Sequence, residues 1–186
     1  MRIEELRKNY KIEVRWIAFP LHPETPEEGL TLEELFVGRS VNIEKVMLRL
    51  RQVAEELGLP LGKRKKTYNS RLAQELAKWT ESKGRGDPFN EAIFRAYFVD
   101  GENIGKVDVL VALAKSIGLP EEEARSVLES RTFREAVDAD WSRSHALGVT
   151  AVPTFFIDDR VVVGFPAYEL LEEFVQACGA EKRKAP

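Results

Sequence analysis

Residues 148–158 read GVTAVPTFFID. Gly148 is placed to end a helix, and Val152-Pro153 stands directly before the β-rich run 154–157. A proline lacks the N–H that a strand ladder needs, so within sheets it is confined to first positions, edges and bulges. The segment therefore predicts a helix end, then a turn at the proline, then the entrance of a strand.

The chain on either side of this segment predicts further strands and helices. Downstream, the runs 154–157 and 160–164 flank the polar pair Asp158-Asp159 and predict a β-hairpin. A last helix is expected from about Pro166 to Cys178. Upstream, residues 1–9 predict the end of a helix, and KIEVRWIAF (residues 11–19) alternates with the period of a strand.

The middle of the sequence predicts a block of helices. Thr31-Leu-Glu-Glu34 has the form of a capping box, residues 42–57 predict one helix, and Asn69-Ser70 is placed to cap the next. Trp16, Trp79 and Trp141 are interpreted as core residues. The predicted domains are a discontinuous one, residues 1–22 with 145–179, a helical insertion over 23–144, and a flexible tail over 180–186.

Composition limits the classes of function. The net charge of −3 gives no electrostatic basis for binding nucleic acid, and the run Lys63–Lys66 is interpreted as a solvated loop. No apolar stretch has the roughly 20 residues of a membrane span, and the N-terminus lacks a signal core, so a cytoplasmic protein is expected. Cys178 is the one cysteine, and His22 and His145 lack partners at metal-ligand spacing. We predict no metal site.

Several segments together resemble a known family. GVTAVPTFFIDDRVVVGFPAYELLEEFV (residues 148–175) resembles the C-terminal half of a thioredoxin fold. EVRWIAFPLHPETPEEG (13–29), NSRLAQELAKW (69–79) and FNEAIFRAYFVDGENIG (89–105) resemble the DsbA-like branch, in particular the FrnE-type oxidoreductases. Kinship extends to 2-hydroxychromene-2-carboxylate isomerases and kappa-class glutathione transferases. The implied fold is α/β: a thioredoxin fold with a large all-helical insertion.

The resemblance also implies candidate site residues. In such proteins the Val-Pro bond is cis and its main chain pairs with an extended peptide or with glutathione. Phe19 and His22 follow the strand beside the active site, although loop packing explains them equally well. Asn69 and Arg71 resemble a stretch near the active site, although a helix cap with an exposed arginine also fits. The implied substrate- or peptide-binding residues are Ala151, Val152, Pro153, Phe19, His22, Asn69 and Arg71.

The catalytic motif of the family has no counterpart in this sequence. Family members begin with a strand followed by Cys-x-x-Cys or a serine-containing turn, whereas this sequence starts within the next helix. No catalytic residue is therefore assigned. Three explanations remain open: the natural protein starts upstream, which we favour; two chains complete each other as a homodimer across the open sheet edge; or the two flanking strands pair directly.

Three functions follow as alternatives. The first is a thiol–disulfide oxidoreductase with its redox pair outside this sequence and a thiol or disulfide protein as its partner. The second is a glutathione-dependent isomerase or kappa-like transferase, with glutathione as co-substrate and no other cofactor, although Gly164-Phe165-Pro166 departs from the small polar residues expected there. The third is a non-catalytic thioredoxin-like binding module.

Overall fold

A computed structural model describes residues 2–38 and 40–183. The strands form two short antiparallel pairs, β1–β2 and β3–β4: β1 (Leu30–Thr31), β2 (Lys66–Thr67), β3 (Thr154–Ile157) and β4 (Arg160–Val163). The helices are α1 (Arg2–Asn9), α2 (Leu32–Leu35), α3 (Ile43–Glu56), α4 (Arg71–Ser82), α5 (Gly86–Arg95), α6 (Val107–Ser116), α7 (Glu121–Glu129), α8 (Arg134–Ala146) and α9 (Tyr168–Ala177). A π-helical turn, Ala96–Asp100, follows α5.

The chain divides into two compact units, residues 1–21 with 140–186 and residues 22–139. The division falls inside α8, whose first residues belong to one unit and whose last residues belong to the other. We call them the hairpin unit and the helical unit. The predicted domains, with limits after residues 22 and 144, stay a prediction.

The helical unit is built around one cluster of buried side chains from α4 to α7. Leu72, Leu76 and Trp79 recur in α4 at spacings of four and three residues, which puts them on one face of the helix. That face packs against apolar side chains of the following helices. The buried members are Ala73, Leu76, Trp79, Phe89, Ile93, Ile104, Leu110, Val111, Ala114, Ala124 and Leu128.

Side chains cap α2 and α3, whereas Ser70 at the start of α4 makes no side-chain cap, and Asn69 before it accepts from the N–H of Arg71. The capping box at α2 is confirmed: the Thr31 hydroxyl accepts from the N–H of Glu34, and the Glu34 carboxylate accepts from the N–H of Thr31. Asn42 caps α3 by accepting from the N–H of Lys45 at 2.8 Å. Each cap satisfies a backbone donor that the first turn of a helix leaves without a partner.

The hairpin unit contains the predicted β-hairpin. Ile157 lies opposite Arg160 across Asp158-Asp159, and Asp158 has φ 54°, a left-handed conformation that two-residue hairpin turns require. One face of the hairpin packs on α1 and α9 through Phe155 and Ile157. The buried residues beneath it are Leu6, Tyr10, Leu171 and Val175.

The predicted strand over residues 11–19 is not observed. Tyr10 forms an isolated antiparallel bridge with Lys182, and the chain from Lys11 to Pro20 has no regular secondary structure. A strand needs a neighbour that exchanges main-chain hydrogen bonds with it along its length, and no described strand lies beside this segment. The segment has the alternating pattern of a strand but lacks the neighbour that would make it one.

Because the predicted strand is not observed, the prediction for one tryptophan also fails. Trp79 is buried in the helical core and Trp141 is half-buried, but the side chain of Trp16 is 42% exposed. The prediction that Trp16 is a core residue is therefore wrong, because it assumed a strand with one covered face.

The beginning of the predicted tail is hydrogen-bonded. The N–H of Lys11 donates to the carbonyl of Glu181, and the N–H of Arg183 donates to the carbonyl of Asn9, both at 2.8 Å. These bonds hold residues 181–183 against the end of α1, which the sequence did not predict. The rest of the predicted tail, residues 184–186, lies outside the described residues.

Candidate substrate-binding site

The loop before the hairpin begins at the end of α8. Gly148 adopts φ 68°, its N–H donates to the carbonyl of His145, and the N–H of Val149 donates to the carbonyl of Ser144 at 3.0 Å. This is the left-handed glycine cap that the sequence predicts. Its two hydrogen bonds give partners to the carbonyls of Ser144 and His145 in the last turn of the helix. The chain therefore leaves α8 in a defined direction toward residues 151–153.

Residues 151–153 lie exposed at the entrance of β3. The Val152–Pro153 peptide bond is cis, and the side chain of Val152 is 45% exposed. The Thr154 hydroxyl donates to the carbonyl of Ala151 at 2.6 Å, and the N–H of Gly164 donates to the carbonyl of Pro153 at 2.8 Å. Among the described residues, nothing hydrogen-bonds to the main-chain N–H or C=O of Val152. A main-chain donor and acceptor without a partner among the described residues thus stand between two anchored carbonyls.

Phe19 is held near the same end of α8 by two buried polar residues that the sequence analysis missed. Asp140 accepts from the N–H of Ala18 at 2.9 Å, and the Ser144 hydroxyl lies 3.4 Å from the carbonyl of Ala18. Ser144 also bonds Val149, so it links the segment that carries Phe19 to the start of the loop. The i, i+4 spacing of Asp140 and Ser144 on one helix face was the available signal.

Loss of the Asp140 carboxylate should release this segment. We expect Asp140→Ala to remove the protection of the Ala18 amide against hydrogen exchange and to destabilise the fold by about 1–2 kcal/mol, because a half-buried donor loses its acceptor. Asp140→Asn is the matched control, since its side-chain carbonyl can still accept. Equal protection of Ala18 in the alanine variant and in the parent would contradict the assignment. Amide exchange measured by NMR reads the result residue by residue.

The other predicted site residues belong to the helical unit. His22 is half-buried there. The side-chain amide of Asn69 donates to the carbonyls of Pro23 and Thr25, at 3.1 and 2.8 Å, and its oxygen accepts from the N–H of Arg71 at 2.9 Å. Asn69 therefore ties the loop after His22 to the start of α4. Its role in substrate binding stays a prediction.

Arg71 takes part in an ion-pair network around a buried carboxylate. Glu75 is 1% exposed and accepts from Arg71 Nε at 2.6 Å and from Arg131 Nε and a terminal nitrogen at 2.7 Å each. Arg71 also donates to the carbonyl of Arg134 and pairs with Asp138 at 2.8 Å. The guanidinium of Arg71 therefore binds other protein groups. The network joins the first turns of α4 to the segment that follows α7.

The network shifts the pKa values of its members. Burial by itself would raise the pKa of the Glu75 carboxyl, but hydrogen bonds from Arg131 and Arg71 outweigh it, so the pKa lies below its usual value. The hydrogen bond to Glu75 raises the pKa of Arg131. Arg131 reaches the carboxylate from a backbone with φ 55°, which is unusual for a residue other than glycine.

Other kinds of site are not found in the described part of the chain. Over residues 2–38 and 40–183, no group of three or more His, Cys, Asp or Glu side chains is placed to hold a metal ion. In the same residues, no helix has the length and apolar character needed to cross a bilayer.

Comparison with known proteins decides the family. The model of the DSBA-like thioredoxin domain matches residues 1–176, nearly the whole chain. The chain belongs to the DsbA-like thioredoxin family. The thioredoxin fold predicted from the sequence is confirmed, including the extensive helical content of this DsbA-like form.

Individual relatives agree with this assignment. The Bacillus subtilis protein YwbO is 28% identical over 175 residues, which covers 92% of this DsbA-like chain and 85% of YwbO. A probable DsbA oxidoreductase from Streptomyces coelicolor superimposes with a TM-score of 0.84 at 24% identity, covering 100% of this chain and 84% of that one. A 2-hydroxychromene-2-carboxylate isomerase gives 0.73 at 21% identity, with 96% and 85% covered. Likenesses at these identities show the fold alone.

Proposed function

We propose that this DsbA-like chain takes part in thiol–disulfide exchange, as in the FrnE-type branch, and that residues 151–153 bind the extended main chain of a substrate. The observation that carries the proposal is Val152, an exposed residue whose main-chain N–H and C=O have no partner among the described residues. A free donor and acceptor on one residue can pair with a peptide as a neighbouring strand would.

The surroundings of Val152 favour a preorganised binding segment. The carbonyls of Ala151 and Pro153 are each bonded within the hairpin unit, so Val152 is held between two fixed points. A segment that is already ordered loses little conformational entropy when it binds. Phe19, held through Ala18 to Asp140, is proposed to supply apolar contact beside it.

The exchange chemistry needs two thiols that this sequence does not supply, because Cys178 is its one cysteine. In the proposed reaction, a thiolate attacks a disulfide sulfur of the substrate and forms a mixed disulfide, and one substrate thiolate leaves. A second thiolate then resolves the mixed disulfide, so the substrate is reduced and the redox pair becomes a disulfide. We propose that this pair lies outside the 186 residues and that the reaction proceeds in the reducing cytoplasm.

Counting cysteines in the protein made from its own gene tests the source of the thiols. The protein is alkylated under denaturing conditions before and after reduction, and the intact masses are compared. We expect Cys178 and two further cysteines that become available only after reduction of an oxidised sample. A protein with Cys178 alone would overturn the oxidoreductase proposal. A serine in place of the redox pair would favour the glutathione-dependent isomerase.

A main-chain variant tests the binding segment separately. Val152→Pro removes one N–H donor and is expected to weaken binding of an extended, disulfide-containing peptide by about tenfold, the value of one hydrogen bond of roughly 1.4 kcal/mol. Val152→Thr keeps the donor and a similar shape, and should bind within about twofold of the parent. Titration calorimetry with the 186-residue chain measures both. Equal affinity of the proline variant and the parent would show that Val152 is not the recognition element.

A further inference from the structure

Helix α3 carries an apolar face that the helical unit covers only in part. None of its residues is buried, and none belongs to the core cluster of the unit or packs against it. Val46, Leu50 and Leu57 are exposed, although they recur at spacings of four and seven residues on one side. The apolar residues of this side, which we call the α3 seam, are the exposed Val46, Leu50 and Leu57 and the half-buried Ile43, Met47, Val53 and Ala54.

The α3 seam has the spacing of a two-helix interface. Ile43, Leu50 and Leu57 recur every seven residues, and Val46 and Val53 fall between them at alternating intervals of three and four. This is the a/d pattern of helices that pack side by side along their length. Exposed apolar faces of this kind mark places where another surface binds.

The charges beside the α3 seam indicate what that surface is. Arg49 and Glu56 precede Leu50 and Leu57 by one residue each, so both lie at the edge of the seam on the same side. When two copies of the helix pack antiparallel with Leu50 opposite Val53 of its twin, Arg49 of each copy faces Glu56 of the other. A two-fold axis makes every such contact occur twice. In a parallel pair the same Arg49 would face Ala54, with no ion pair.

We propose that the α3 seam is the interface of a homodimer in which α3 packs antiparallel against α3 of a second copy. Leu50 and Val53 form its two central layers, Val46 and Leu57 the outer ones, and Arg49 pairs with Glu56 at both edges. Fourteen residues give a helix of about 21 Å, so the contact is shorter than a standard interface. The dimer is therefore reversible and forms in the micromolar range. It does not depend on the proposed redox function.

Sedimentation velocity of the 186-residue chain, from about 1 to 200 µM at low salt, tests the dimer. We expect a mass that rises from 21.1 kDa toward twice that value. Leu50→Glu should keep the chain monomeric throughout. Leu48→Glu is the matched control on the opposite side of the helix, since Leu48 is 55% and Leu50 41% exposed, and it should dimerise like the parent. Circular dichroism checks that both variants retain the parent helicity.

A charge exchange tests the antiparallel register. Arg49→Glu and Glu56→Arg each place like charges opposite one another twice and should weaken the dimer by about tenfold, because each affects two contacts of modest strength. The double variant restores both pairs, and its dimer affinity should return to within about threefold of that of the parent.

A chain that stays monomeric at every concentration overturns the proposal. So does a dimer that survives Leu50→Glu, which would indicate another surface such as the open sheet edge. Single exchanges without effect would overturn the antiparallel arrangement.

Discussion

Replacing Glu75 with glutamine is expected to lower the free energy of unfolding by about 3–5 kcal/mol, the usual cost of removing one member of a buried ion pair. The Glu75 carboxylate is 1% exposed and receives three hydrogen bonds, one from Arg71 and two from Arg131. Glutamine has nearly the same shape, but it brings a single acceptor oxygen and turns two N–H donors toward guanidinium donors. Arg131 then loses its hydrogen-bonded counter-charge, while Arg71 still pairs with Asp138. Urea denaturation followed by circular dichroism measures the loss.

A second glutamate on the same helix provides the control. The Glu81 side chain is 46% exposed and pairs with Lys78 at 3.6 Å, so Glu81→Gln makes the same chemical change on a carboxylate that solvent reaches. Pairs with a solvent-exposed carboxylate contribute about 1 kcal/mol at most, and we expect less than that here. A similar small effect of Glu75→Gln would show that solvent, and not the two arginines, balances the buried charge.

The effect of Glu75→Gln should depend on pH. The pKa of Glu75 is lowered in the folded state, so the stabilisation by its charged form is complete above the unfolded pKa, about 4.3. It is lost as the pH falls through the lower, folded value. The difference in unfolding free energy between parent and variant should therefore be constant near neutrality and shrink below about pH 4. A difference that grows on acidification would contradict the assigned direction of the shift.

The sequence predicted those elements whose signals are local. The capping box at Thr31, the hairpin turn at Asp158-Asp159 and the glycine end of α8 each depend on residues within a few positions of one another. Such signals depend little on what surrounds them. The strand expected at residues 11–19 required a neighbour elsewhere in the fold, and Trp16 was placed in the core on that assumption.

At the candidate site, too, the sequence predicted local features but not contacts between residues far apart in the chain. The proline at a strand entrance followed from a pattern of adjacent residues, whereas the binding role of residues 151–153 was implied only by the family resemblance. Arg71 and Glu75 are four residues apart on one helix, and this spacing is typical of an ion pair. The second arginine that binds Glu75, Arg131, lies 56 residues further along the chain and has a left-handed backbone conformation. Neither spacing nor composition predicts a contact of that kind, because it is set by how α4 and α7 pack.

Replacing Tyr10 with alanine is expected to destabilise the hairpin unit by about 3–5 kcal/mol, as large aromatic-to-alanine changes in cores do. Tyr10 is fully buried among Leu6, Leu171 and Val175, so its removal leaves a cavity between α1 and α9. Its hydroxyl donates to Glu172 at 2.7 Å and accepts from Gln176, and Lys182 lies 5.6 Å from its ring. One side chain thus joins α1, α9 and the segment after α9.

The matched control is Tyr10→Phe, which keeps the ring and should lower the free energy of unfolding by about 1–2 kcal/mol, from the lost hydrogen bonds alone. Denaturation read by Trp141 fluorescence, with Trp16 and Trp79 replaced by phenylalanine in parent and variants alike, measures both changes. Equal losses in the two variants would mean that the hydroxyl, and not ring packing, holds the three segments together.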